Sequence, residues 1–188
     1  QVLDSCAIQL DQGLAQSPAV RARLRATLGL AYMNLGQGER AEAMLRQAAT
    51  ELQSAQVDEP ALAAAAWSDL ATLLANDERG DDAQAAGRQA LALATRSGDL
   101  DALAKATNAL GLGLHRAARY AEAQAMLQRS LALRRQPGVK VDGGVATVLH
   151  NLGLVFKAQG QYAQAEQWFR QALAMKQREY GTRSVDYL

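Results

Sequence analysis

The sequence predicts an all-helical chain of stacked helix–turn–helix units, and three observations carry that prediction. First, 49% of the 188 residues are hydrophobic, yet only 5% are aromatic and just 3 are prolines. A chain rich in alanine and leucine leans towards helix, because those side chains lose little rotamer freedom there. Second, no β-branched run alternates with the period of two that a half-buried strand requires. Third, small residues recur in phase. Gly29, Ala71, Gly111 and Gly153 are 42, 40 and 42 positions apart. Ala41, Ala83, Ala123 and Ala165 keep those intervals, as do Ala48, Ala90, Ser130 and Ala172. Three sets sharing one two-residue deletion define four repeats.

The elements follow in order. Leu3, Cys6, Leu10 and Leu14 recur at helical spacing and predict a capping helix over 1–17. The first repeat, 18–57, opens at Ser17-Pro18, an N-cap followed by proline in the first turn, and turns at Leu35-Gly36-Gln37-Gly38. The second, 58–98, opens at Asp58-Glu59-Pro60 and turns at Arg79-Gly80-Asp81; Ser97-Gly98-Asp99 ends it, with a glycine suited to a left-handed C-cap. The third spans 99–136. Residues from Gln136-Pro137-Gly138 to Gly143-Gly144 form the longest predicted loop and the expected flexible joint. The fourth, 137–180, turns at Gln159-Gly160-Gln161. Residues 181–188 parallel the segment leading into the fourth repeat and read as the opening of a fifth. About nine helices are expected. The chain starts at Gln1 rather than Met and reads as part of something longer.

Packing explains the residue types. Two antiparallel helices approach closely where side chains are small, and large neighbours such as Leu28, Tyr32, Leu152 and Phe156 fill the holes between repeats. Glycine within a helix costs roughly 1 kcal/mol against alanine, so close packing must offset it. One such unit cannot bury its apolar faces alone, whereas stacked units can.

These residues resemble the tetratricopeptide repeat family, in its long-helix form of about 42 residues found in kinesin light chains and many bacterial regulators. The match is best from Val145 to Tyr180, where Leu152, Gly153, Phe156, Ala165, Phe169 and Ala172 fall on signature positions. The second repeat carries Trp67 but departs with Ala71 for glycine and Gly87 for a bulky residue, which marks its second helix as the weakest. The resemblance covers 21–188. The opening segment is also similar to the entry into repeat arrays that follow kinase domains in some bacterial serine/threonine kinases. The family implies a right-handed superhelix, a scaffold that binds peptide or protein segments, and an inner groove lined by the first helices.

Chemistry is sparse by comparison. Lys+Arg number 20 against 19 Asp+Glu, a balance that argues against nucleic acid, which requires a clustered cationic field. His115 and His150 lie 35 residues apart with no carboxylate at ligand spacing, so no metal site is expected. Cys6 is the lone cysteine and reads as a small buried residue; it excludes an internal disulfide and any multi-cysteine zinc site. Gly111-Leu112-Gly113 lies inside a helix and lacks the strand and lysine of a phosphate loop. No cofactor and no catalysis are expected. No apolar run approaches the roughly 18 residues of a membrane span, and no signal peptide precedes the helical pattern, so a cytoplasmic location is the expectation.

The inner groove remains. Relative to the small reference residue, the positions three before, one after, and four or five after it are read as pointing inward. Ala26, Ser68, Asn108 and His150 form one row, and Leu30, Thr72, Leu112 and Leu154 the next. Met33, Ala75, His115 and Lys157 follow, then Asn34, Asn76, Arg116 and Ala158. With Lys105 and Asn151, the back half offers amides to hold a peptide backbone and cations to favour acidic groups. The predicted site is therefore Lys105, Asn108, Leu112, His115, Arg116, His150, Asn151, Leu154 and Lys157. The leucines of the second row point to apolar anchoring rather than to the lysine/asparagine clamp with which some relatives hold a terminal carboxylate. The competing readings are a structural spacer or self-association element working through an open C-terminal repeat face, and a regulatory arm of an attached kinase or transcription regulator.

Overall fold

The computed structural model describes residues 5, 10, 17–54, 56–136, 139 and 144–180. They form eight helices: α1 Pro18–Asn34, α2 Gly38–Leu52, α3 Pro60–Asn76, α4 Gly80–Ser97, α5 Leu100–Arg116, α6 Tyr120–Arg134, α7 Gly144–Ala158 and α8 Tyr162–Tyr180. No strand occurs among the described residues. Each helix packs on its neighbours in the chain, giving four stacked hairpins of an α-solenoid. Of the expected capping helix, only Ser5 and Leu10 are described, both helical, with Leu10 buried. The rest of it, most of the 137–143 loop and the opening of a fifth repeat lie outside the described residues.

The four turns share one construction. The amide of the third residue past the helix bonds back to a carbonyl five positions earlier: Gln37 to Tyr32, Arg79 to Leu74, Arg119 to Leu114 and Gln161 to Phe156, each at 2.9 Å. This bond needs a left-handed residue just before it. Gly36 and Gly160 meet the need with φ of 70° and 75°, but Glu78 and Ala118 occupy the same place at 62° and 57°. The expected turn at Arg79-Gly80-Asp81 is therefore corrected. The chain turns at Asp77–Arg79, and Gly80 is already the first residue of α4. Pro60 and Pro18 open their helices as expected, although the Ser17 side chain makes no cap bond. Asp99 does, accepting from the Ala102 amide at 2.8 Å, just after Gly98 ends α4 with φ of 69°.

The small reference residues work as the spacing predicts. In three hairpins the reference glycine faces a large side chain of the second helix: Gly29 faces Leu45, Gly111 faces Leu127 and Gly153 faces Phe169. The second hairpin differs. There Ala71 stands where glycine is usual, Gly87 takes the bulky position, and the vacated space is entered from the next hairpin. A Cβ at Gly87 would lie 2.8 Å from the Leu110 Cα. Gly87 is thus a point of helix–helix approach, not the defect its helix propensity suggests. Gly113 touches the Ala83–Gln84 backbone and Gly80 the Arg116–Ala117 backbone in the same manner, each with only 2.8 Å for an added Cβ.

The core consequently runs unbroken through the middle of the array. One cluster joins Leu45, Leu70, Leu74, Ala83, Ala109 and Leu112. A second joins Ala49, Leu52, Ala63, Ala90 and Ala106, and Trp67 packs against both. A third, with Leu127, Leu131, Val148, Leu152 and Val155, holds the last two hairpins.

Candidate peptide-binding face

The predicted site residues come from α5 and α7, the first helices of the last two hairpins, and the structure binds several of them to one another. Asn151 Nδ2 donates to Asn108 Oδ1 at 3.0 Å, an amide pair spanning the two helices. Asn151 is 6% exposed and Asn108 half-buried, so this pair belongs as much to packing as to any surface. Lys105 Nζ reaches back to Asp69 of α3 at 2.8 Å. Burial pushes the Asp69 carboxyl above its usual range, and the Lys105 charge and hydrogen bond act in the opposite direction.

His115 is half-buried and lies beside Tyr120 with ring centroids 5.9 Å apart. Its Nδ1 is buried with no hydrogen-bond partner among the described residues. Burial holds this imidazole below its ordinary value, with the Arg116 charge adding to the effect; the Leu154 backbone and the Glu78 charge oppose it. Arg116 pairs with Glu78 at 2.8 Å. Leu154 is partly buried, while Leu112 is 6% exposed and enters the core, leaving it little surface for an anchoring role. Two other members of the inward rows are likewise closed off: Ser68 and Ala75 are both fully buried.

His150 and Lys157 stand seven positions apart on α7, hence on one face of that helix. Both are exposed and both border Phe169 of α8. The His150 ring is 5.3 Å from that of Phe169, and burial, then the Lys176 charge, lower its affinity for a proton. Lys157, Tyr162, Glu166, Phe169, Arg170 and Leu173 surround a shallow cavity of about 350 Å³ on the last hairpin. Sequence reasoning missed Asp69, one place off the chosen rows, Phe169, noted only as a family signature position, and Leu173, which was not singled out. The only signal for Asp69 was a carboxylate 36 positions before Lys105.

Models of the tetratricopeptide repeat match residues 22–51, 62–136 and 145–186. The chain belongs to the tetratricopeptide repeat family. Similar solved structures agree on the fold. BtubC from P. vanneervenii superposes with a TM-score of 0.71 at 20% identity, over 97% of this chain and 73% of that one. A Rap protein complexed with competence and sporulation factor gives 0.77 at 16% identity, over 98% of this chain and 50% of that one. Kinesin-light-chain-like repeats from Podosopora anserina give 0.63 at 18%, over 97% and 86%. The chain thus spans about half the length of the Rap protein. No curated protein matches it by sequence. Tetratricopeptide repeats mediate contacts between proteins, and that coarse function is what the family assigns here. No helix among the described residues is long and apolar enough to cross a membrane, and no cluster of three metal-binding side chains occurs among them.

Proposed function

We propose that this array is a non-catalytic scaffold that binds an extended peptide or protein segment along the inner faces of α5 and α7, as one part of a larger regulatory protein. The observation that carries this reading is the run of polar groups over those two helices. The Asp69–Lys105 pair, the Asn108–Asn151 amides, His115 and exposed His150 and Lys157 follow one another across successive repeats. Amides and cations in that order suit a peptide backbone bearing acidic groups. The Rap protein was solved in complex with competence and sporulation factor, which supports partner binding as a use of this fold.

The test uses His150→Ala and Lys157→Glu, because these exposed positions can be changed without opening the core. Affinity capture from source-cell lysate with the native array as bait should retain a partner that the double variant loses at unchanged melting temperature. Equal capture by both would sink the groove reading. A second reading, self-association, is favoured by the last hairpin, where Tyr162 is 70% and Leu173 42% exposed. Sedimentation of native and Leu173→Glu chains separates the two, since a mass that rises with concentration only in the native chain supports self-association.

A further inference from the structure

The first and second repeats meet in the same way as the third and fourth, and their positions correspond one to one. Gly111 stands 82 positions after Gly29, and Gly153 stands 82 after Ala71. At the first of these junctions the space between hairpins is filled. Trp67 packs into it, its Nε1 donates to Gln53 Oε1 at 3.3 Å, and Leu52 is 1% exposed. Arg96 at its edge is neutralised by Asp58.

Moving 82 positions along changes the contents of that space. Leu149 stands for Trp67, Arg134 for Leu52 and Arg135 for Gln53, while Arg178 keeps the place of Arg96. The indole is gone, and the polar partner has become a cation. A cavity of about 490 Å³ lies there, floored by Val139, Val145, Leu149 and Met175 and rimmed by Arg134, Arg135 and Arg178. No carboxylate lines it among the described residues. Its volume falls within the range of sites that enclose small ligand groups.

We propose that this cavity is a second binding site, which takes a bulky apolar side chain flanked by carboxylates on a segment of a partner protein. The apolar group occupies the room that Trp67 fills at the equivalent junction, and the carboxylates meet the guanidinium groups of Arg135 and Arg178. A peptide is the source because the counterpart space is filled by a side chain carried on a backbone. The site is separate from the polar run over α5 and α7, being built at the end of α6, the start of α7 and the last turns of α8.

The experiment titrates the isotope-labelled chain with acetyl-Glu-Trp-Glu-amide and follows backbone amide resonances. Val145, Leu149, Met175 and Arg178 should shift, and acetyl-Gln-Trp-Gln-amide should bind at least ~10-fold more weakly, as loss of charged partners from an arginine site requires. Leu149→Trp reproduces the filled junction and should abolish binding without lowering the melting temperature. Arg178→Glu should weaken binding, also at unchanged melting temperature. The proposal is overturned by an absence of shifts, by equal affinity for the neutral peptide, or by undiminished binding to Leu149→Trp. N-acetyl-tryptophan binding as tightly as the peptide would overturn the peptide source in favour of a free aromatic acid. None of these results depends on His150 or Lys157, so the groove reading stands or falls separately.

Discussion

The second and third repeats are joined differently from the third and fourth. At the former junction three glycines, Gly80, Gly87 and Gly113, let backbone meet backbone or a neighbouring Cα, and α3 packs directly on α5. At the latter, α5 and α7 make little contact, and the links across it include the Asn108–Asn151 amides. Beside those links lies the arginine-rimmed cavity. One junction is short-range, with helix backbones in close approach at its glycines. The other is packed through an apolar cluster as well, but it adds polar links and retains room. The difference teaches that one repeat frame can be set either for rigidity or for access, through whether small residues are aimed at a neighbour's backbone.

The strongest way to break this contrast is Gly87→Ala. The new methyl meets the Leu110 Cα, which cannot move alone, so a loss of about 2 kcal/mol is expected despite alanine's better helix propensity. Chemical denaturation of the variant measures it. A stability equal to or above that of the native chain would mean the two helices separate at little cost. Asn151→Ala attacks the other junction and should cost about 1 kcal/mol, because half-buried Asn108 loses its partner. Amide exchange should then rise in α7 and α8 more than in α3 and α4.

Acidification should sharpen the contrast. His115 and His150 are held below the ordinary imidazole value in the fold, so the folded chain binds fewer protons than the unfolded one as pH falls through that range. The stability these groups contribute is fully present above the unfolded value near 6.5 and is lost as pH falls towards their folded values. Both rings lie in the last two repeats, so exchange protection should fall there first on going from neutral to mildly acidic buffer. His115→Gln should reduce that fall, and an unchanged profile would remove His115 from the account. The smallest expected effect is at a turn. Ala118→Gly relieves a left-handed alanine with φ of 57° at an exposed site, and should raise stability by roughly 0.5 kcal/mol.

Several of these features could be read from the sequence and several could not. The intervals of Gly29, Gly111 and Gly153 announced helix pairs in contact, because each glycine's partner lies in the same repeat, 16 positions on. Gly87 was legible only as an anomaly. Its partner, Leu110, belongs to the next repeat, and spacing within one repeat cannot reveal what a neighbour inserts. Gly80 misled for a related reason: glycine signals a turn, yet here it serves close approach while Glu78 adopts the left-handed turn. For the candidate site, row counting selected Asn108 and Asn151 but could not show that they bind each other, nor that Leu112 and Ser68 lose their surface to packing.

By itself, the sequence determined the helical class, the four in-phase units and their family, because helix periodicity and repeat spacing are local and survive in the residue string. Tertiary structure alone decided which junction closed and which kept a cavity. That outcome depends on residues distant in the chain being brought together, as with Gly87 and Leu110 at one junction or Arg135 and Arg178 around the cavity at the other. The difference of a few ångströms between a glycine and a larger side chain fixes such meetings, and only the folded chain brings those side chains face to face.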